Sequence, residues 1–277
     1  MLYIILKIII CIIIFLKFIL IYNNTNNITI KKFNYNYNKR RINIISYNTN
    51  NMPNFNKDIT PLFDLIINND IIFLQEMFSN FYDRNKYIRL KEFCTKNKYN
   101  IVTSNEIKLF SKSWLDGGLM IITKYPILSY GFTNVISNNI DILSDKGILY
   151  CETIINNKSL LLFTTHLQTN YISDKISECQ YLQLEKIFDY VKYISNKTNI
   201  PNVLIGGDFN CDINIKYNLE IVNKIFNSFK KYYPKSPTFE KETIDYFLTS
   251  NITLENTQSF NYKKYSDHKP VSCHYYI

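Results

Sequence analysis

The chain has 277 residues, 46% hydrophobic and 20% charged, a balance that excludes a disordered or collagen-like polymer. This length leaves room for a core domain of about 200–250 residues plus an appendage. The formal charge of +9 raises nucleic acid as a candidate partner. Alanine is absent, and only 6 glycines and 3 histidines occur amid Asn, Ile, Lys and Tyr, so each Gly and His stands out against its background.

Residues 1–22, MLYIILKIIICIIIFLKFILIY, form an apolar run broken only by Lys7 and Lys17. About 20 such residues span a bilayer as a helix, with lysines near the ends snorkelling to the surface. A run apolar on every face does not suit a helix lying on a domain, so one N-terminal transmembrane helix, uncleaved, is expected. The competing reading is a cleaved signal peptide, which would make the protein secreted. It wants small residues at the cleavage point, where Tyr22, Asn23 and Asn24 stand. Residues 23–41 read as a polar, basic linker.

No acid precedes residue 42, so the first 41 residues carry +7; the remaining 25 basic residues face 23 acidic ones, leaving +2 over 42–277. A DNA-binding surface shows as a basic excess in the domain itself, so the near-neutral body weakens the nucleic-acid reading. The linker's basic residues would hold the domain on the cytosolic side of a single-pass membrane protein. Sequons at Asn23, Asn27, Asn157, Asn196 and Asn251 would suit a lumenal side; the side stays open. Beyond Cys11, the cysteines Cys94, Cys151, Cys179, Cys211 and Cys273 show no paired spacing and read as buried, reduced thiols rather than a disulfide framework or zinc site.

Residues 42–277 show no internal repeat and read as one domain. Strand-length β-branched runs lie at 42–47, 71–74, 119–123, 148–155, 160–165, 203–206, 244–249 and 271–276, each bounded by polar or turn residues. Helical spacing appears over 57–69, 175–194 and 218–230. Strands with interspersed helices predict an α/β sandwich.

Polar side chains sit where these strands end. Asn48 follows the first, Gln75 and Glu76 the second, His166 the fifth, and Asp208 with Asn210 the sixth; Asp245 lies in TIDYFL, and Asp267 with His268 precede the last. Singly, each has an ordinary structural role, such as an Asx-turn at Asp208. Together they suggest one convergent site at a sheet edge, because two of three histidines and five of six glycines fall beside them. His274, in the last strand, reads as structural.

In this order, QE, DGGLMIITKYPI, THLQ, GGDFN, IDYFL and SDHKPV resemble the metal-dependent endonuclease/exonuclease/phosphatase superfamily over nearly all of 42–277. The resemblance implies a deoxyribonuclease-like four-layered sandwich of two mixed β-sheets flanked by helices. It implies Glu76 as principal ligand of Mg²⁺ (or Mn²⁺), assisted by Asn48 and Asp267; hard oxygen donors suit such ions better than zinc. It further implies His268 as general base oriented by Asp245, Asp208 and Asn210 positioning nucleophile and phosphate, and His166 stabilising the transition state.

Within the superfamily, Asp145-Lys146-Gly147 resembles the DKG element of neutral sphingomyelinases and implies substrate contact by Asp145 and Lys146. The opening SYNTNNMP, DGG at 116–118 and HLQ with Gln168 agree. The phosphatase run Trp-Cys-Asp-Arg is absent, and Thr243 stands where nucleases carry Arg. One departure concerns the helix after THLQ, where Gln180 or Glu178 stands near the place of an Arg. The expectation is a membrane-anchored Mg²⁺-dependent phosphodiesterase acting on sphingomyelin or a related membrane phospholipid, with no obligate protein partner. A nuclease of the same fold and a silent membrane-tethered interaction module are the alternatives.

Overall fold

Alternation of apolar residues along short β-branched runs puts successive side chains on opposite faces, and the chain uses both faces. In the computed structural model, which describes residues 2–23, 40–51, 57–78, 84–104, 113–262 and 265–277, Ile71 and Phe73 point into one hydrophobic core while Ile72 and Leu74 point into another. A strand buried on both faces must lie inside a layered sandwich.

In chain order the elements are α1 (Leu2–Asn23), β1 (Arg41–Asn48), α2 (Thr60–Ile67), β2 (Ile71–Gln75), α3 (Arg84–Lys96), β3 (Asn100–Thr103), β4 (Met120–Thr123) and β5 (Ile127–Asn134). A short 3₁₀ turn (Asn139–Leu143) precedes β6 (Gly147–Ile155), β7 (Lys158–His166), α4 (Glu178–Thr198) and β8 (Val203–Asp208). The chain finishes with α5 (Lys216–Ile225), β9 (Lys230–Tyr232), β10 (Asp245–Ser250), β11 (Leu254–Ser259) and β12 (Val271–Tyr276).

The strands form two six-stranded sheets of order β11-β12-β1-β2-β4-β3 and β5-β6-β7-β8-β10-β9. Each is mixed, with one parallel pair, β1 with β2 and β7 with β8, joined through α2 and α4 as parallel pairs require. A core of Ile44, Phe73, Leu162, Leu204 and Phe247 fills the space between the sheets. Outside it, Leu62, Ile66, Leu90 and Cys94 of α2 and α3 cover the first sheet, and Leu184, Ile187, Val191 and Val222 of α4 and α5 cover the second. These are the four layers expected. At Gly206 a Cβ would meet the rings of Phe247 and Phe73 at 2.7 and 2.8 Å, so glycine lets β8 approach the facing sheet.

The helix over 175–194 starts at Glu178 behind a capping box made by Ser177 and Gln180, as the pattern S-x-x-Q allows. The helix expected over 218–230 stops at Ile225. The five cysteines of the body are free and buried.

At the N-terminus, residues 2–23 are helical, and the described apolar side chains from Leu6 to Leu16 are exposed. Among the described residues no helix is long and apolar enough to cross a membrane. The linker expected over 23–41 lies outside the described residues except at its ends, Asn23, Arg40 and Arg41.

Candidate active site

Parallel pairing brings strand ends together, and the register sets which residues meet. Asn48 of β1 stands beside Gln75 of β2, His166 of β7 beside Asp208 of β8, and Asp245 of β10 opposite Asp208. Asn48 ties the two sheets together through Nδ2, which donates to Glu76 Oε1 at 3.0 Å and to Asp208 Oδ2 at 2.9 Å. Its Oδ1 accepts from the Asn50 backbone N–H. Asn48, expected as a metal ligand, bridges the two carboxylates through Nδ2, and its Oδ1 is the atom by which it would meet a cation.

Glu76 adopts φ 54°, a left-handed conformation uncommon for a side-chain-bearing residue and concentrated at functional sites. The neighbouring loop holds it there. Met77 N–H donates to Gly118 O, and Gly118 has φ 60°, with a Cβ there falling 3.1 Å from the Glu76 Cα.

His268 donates through Nδ1–H to Asp245 Oδ2 at 2.9 Å, and its Nε2 faces Asp208 Oδ2 at 3.8 Å. Its backbone N–H donates to Ser266 Oγ, whose hydroxyl donates to Asn48 O. The Phe239 ring covers the imidazole at 4.8 Å. Burial opposes the charged imidazole, but Asp245, its hydrogen bond, Asp208 and Asp267 together outweigh it and push the group up to about 10.

His166 is surrounded differently. Lys146 Nζ lies 3.2 Å from its Nδ1 and 3.1 Å from its Nε2, and reaches Asp141 and Leu167 O as well. Burial first, then the Lys146 and His268 charges, hold His166 well below the ordinary histidine range. An ammonium only donates, so the neutral ring accepts from Lys146. With Nδ1 as acceptor, an Nε2–H faces Glu76 Oε1 at 3.8 Å and Asp208 Oδ2 at 3.6 Å.

Of the two residues expected at the substrate, Lys146 reaches the site through His166 and is itself buried. Asp145 is turned aside, accepting from Ser113 Oγ and Asn134 Nδ2. Asn210 donates through Nδ2 to Leu167 O and through its backbone N–H to Asp208 Oδ1. Asp267 is exposed at the cleft mouth. Gln180, which stands near the place of the expected Arg, donates to Gln168 O and Asn210 O and so bridges the ends of β7 and β8.

The donor set fits a hard divalent cation. Carboxylate and imidazole atoms of Asp208, Asp245 and His268 lie within 4.8 Å of one another. Asp245 Oδ1 is buried without a hydrogen-bond partner. Burial and the Asp245 charge push the Asp208 carboxyl up to about 7. Buried negative charge with an orphaned oxygen is what a cation relieves.

Above these residues opens a cleft of about 320 Å³. Among the described residues its lining holds six carboxylates (Glu76, Asp174, Asp208, Asp212, Glu242 and Asp267), the rings of Tyr171 and Phe239, and no lysine or arginine. Asp174, Asp212, Glu242, Tyr171, Phe239 and the linking Ser266 were not singled out by sequence. Polar residues in loops give no periodic signal; only the closeness of Phe239 and Glu242 to IDYFL pointed their way.

A family model described as "Endonuclease/Exonuclease/phosphatase family" matches residues 45–268. Sphingomyelinase C of Bacillus cereus is 30% identical over 230 residues, covering 76% of this chain and 67% of that protein. Among solved structures, beta toxin of Staphylococcus aureus with bound magnesium ions superposes with a TM-score of 0.67 at 21% identity, over 85% of this chain and 99% of its own. Sphingomyelinase C of Streptomyces griseocarneus superposes with a TM-score of 0.61 at 17% identity, over 85% and 99%. At these identities the two structural likenesses carry the fold.

Proposed function

Because the chain belongs to the endonuclease/exonuclease/phosphatase family and is a sphingomyelinase-like, metal-dependent phosphodiesterase, we propose that it hydrolyses sphingomyelin to ceramide and phosphocholine. Mg²⁺ is the proposed ion, held by Glu76, Asp208 and the cluster around them, with Asp267 at the mouth. The exposed apolar side chains of the N-terminal helix, Leu6 to Leu16, would hold the domain against a lipid surface, confining it to the plane of its substrate and raising the effective concentration.

One observation carries the choice of substrate: the acidic, aromatic lining of the cleft, which holds no lysine or arginine among the described residues. Asp174, Asp212 and Glu242 with Tyr171 and Phe239 suit a quaternary ammonium, which aromatic faces and carboxylates attract. The same wall repels a polyanion, and nucleic-acid binding draws its affinity from basic residues. The rim agrees. Ile140, Tyr171 and Ile172 are 70%, 60% and 90% exposed, on two segments joined by the Asn138–Gln168 hydrogen bonds, as a mouth meeting lipid would be.

When bound, the divalent ion supplies charge that neutralises the phosphate and the departing ceramide oxygen. His268 would take the proton of the attacking water at Nε2 once a bound cation offsets the Asp208 and Asp267 charges that help to raise its pKa, while Asp245 holds its Nδ1–H and stabilises the imidazolium that forms. His166 donates from Nε2 to a phosphoryl oxygen as charge develops there, and Asp208 and Asn210 fix the position of the water. The covered, hydrogen-bonded His268–Asp245 pair disfavours a silent interaction module.

The test assays the full chain on sphingomyelin vesicles and on plasmid DNA, with Mg²⁺ and with chelator. Phosphocholine release that chelator abolishes is the expected result. DNA nicking without lipid turnover, or inactivity on both, overturns the proposal. Glu76→Gln should raise the Mg²⁺ requirement by about tenfold or more, the usual loss with a ligand or its support.

A further inference from the structure

Asp245 and His268 come from different segments. Asp245 opens β10, and His268 lies in the irregular stretch before β12. Their 2.9 Å hydrogen bond requires both backbones to be fixed against one reference, and the sheet supplies only half of it. On one side the start of β10 is held by β8, through the pairing of Asp245 with Asp208 and the Phe209 N–H bond to Ile244 O. On the other side β9 reaches only Phe247, Leu248 and Thr249 of β10. The first residues of the strand have no neighbouring strand there.

Thr238 takes the place of the missing strand. Its Oγ1 accepts from the Ile244 and Asp245 N–H groups at 3.1 and 3.2 Å, which uses both lone pairs of the hydroxyl. The hydroxyl proton points to Glu242 O at 3.5 Å. Through its main chain the same residue reaches the histidine side: Thr238 O accepts from the Lys269 N–H at 2.7 Å, one position beyond His268. Its own N–H donates to Glu242 O at 2.8 Å. That bond helps to close the turn with Glu240 at φ 43°, whose Phe239 ring lies 4.8 Å from the imidazole. Thr238 is fully buried, and a buried N–H that loses its acceptor carries its full desolvation cost.

We infer that Thr238 is a positioning residue of the reaction, which sets Asp245 with its hydroxyl and the His268 segment with its carbonyl, so that the two side chains meet in hydrogen-bonding geometry. Thr238 does not line the cleft; it acts through Asp245. The inference rests on the reading of His268 as the base. Valine at this position keeps the shape of the side chain and both main-chain bonds, and removes only the hydroxyl. Two buried N–H groups are then left without an acceptor at the very residue that orients the imidazole, and a displacement of about 1 Å at a reacting group costs up to about 10²-fold in rate.

The test compares variants of the full chain on sphingomyelin vesicles with Mg²⁺. Thr238→Val should lower kcat by about tenfold or more with KM held, since the main-chain bond to Glu242 still fixes the cleft wall. Thr238→Ser restores the hydroxyl and should keep most of the parent kcat. Thr249→Val is the control for simple loss of stability. Thr249 is fully buried at the far end of the same strand, where its hydroxyl donates to Ile252 O; its loss should lower the melting temperature and leave kcat unchanged. Thr238→Ala replaces the valine variant where that one fails to fold.

A second readout needs no substrate. In the chelated protein the His268 Nδ1–H, assigned by its disappearance in His268→Ala, should give a downfield proton resonance in the parent, in Thr238→Ser and in Thr249→Val. In Thr238→Val it should be weakened by faster exchange with water. Absent turnover by the parent strikes the sphingomyelin reading, while the resonance still judges the role of Thr238. An unchanged resonance or an unchanged kcat in Thr238→Val overturns the inference, as does an equal loss of kcat in Thr249→Val or in Thr238→Ser.

Discussion

His166 and His268 face one cleft from two strand ends, are both buried, and lie 3.6 and 3.8 Å from the same oxygen of Asp208. Their surroundings nevertheless drive them apart. His166 has an ammonium against its ring and is held neutral; His268 has a carboxylate at 2.9 Å and is pushed up to about 10. Burial opposes the charged form in both, so the nearest charge decides. The comparison teaches the division of labour. The neutral ring is a fixed donor, and the ring beside carboxylates is the one built to hold a proton in transit.

The strongest way to break this contrast is to remove the proton-holding side. His268→Ala should lower kcat for phosphocholine release by about 10²–10⁴-fold, with the fold intact by circular dichroism. Retention of most of the activity would remove His268 from the role of base.

Lys146→Met tests the other side. Losing the ammonium should let the His166 pKa climb toward the ordinary value, read by imidazole NMR as a titration absent from the parent. Activity should fall about tenfold. The fold should also lose on the order of 3 kcal/mol, since Asp141 loses its buried partner, read as denaturant midpoint.

The pH dependence of the chelated protein sharpens the contrast further. His268 binds its proton more tightly folded, at about 10, than unfolded, at about 6.5. Its stabilisation is thus complete below the unfolded value and lost as pH rises through about 10. The stability difference between parent and His268→Ala, a few kcal/mol, should shrink over that window in urea titrations. Asp208, raised to about 7, runs the other way: its ionisation destabilises the chelated fold as pH rises from about 4 to 7. Added Mg²⁺ should therefore raise the melting temperature more at pH 8 than at pH 5.

Ser266→Ala is the mildest change. It removes the hydroxyl between the His268 N–H and Asn48 O and should cost about 1 kcal/mol, with a severalfold loss of kcat and no shift in the Mg²⁺ requirement.

Much of the scaffold could be read before the structure. The runs at 42–47, 71–74 and 203–206 became β1, β2 and β8 because strands buried on both faces must be continuously apolar. What escaped were the four edge strands, β3 (NIVT), β5 (ILSYGFTN), β9 (KKY) and β11 (LENTQS), which are short or mixed in polarity and so show no clear pattern, and α3 (RNKYIRLKEFCTK), whose charged residues outweigh its apolar stripe. The charge of +9 pointed toward nucleic acid until its location was considered; the cleft itself is acidic.

By itself the sequence determined which residues had chemistry to offer: strand-end Asn48, Glu76, His166, Asp208, Asp245 and His268 are written in short motifs next to strong hydrophobic runs. Only the tertiary structure decided what each of them does. Whether a buried histidine is neutral or charged depends on the charge a few ångströms away, and those neighbours, Lys146 for His166 and Asp245 for His268, come from 20 and 23 positions off in the chain. The same holds for the acidic wall of the cleft, which folding gathers from a nearly neutral string of residues.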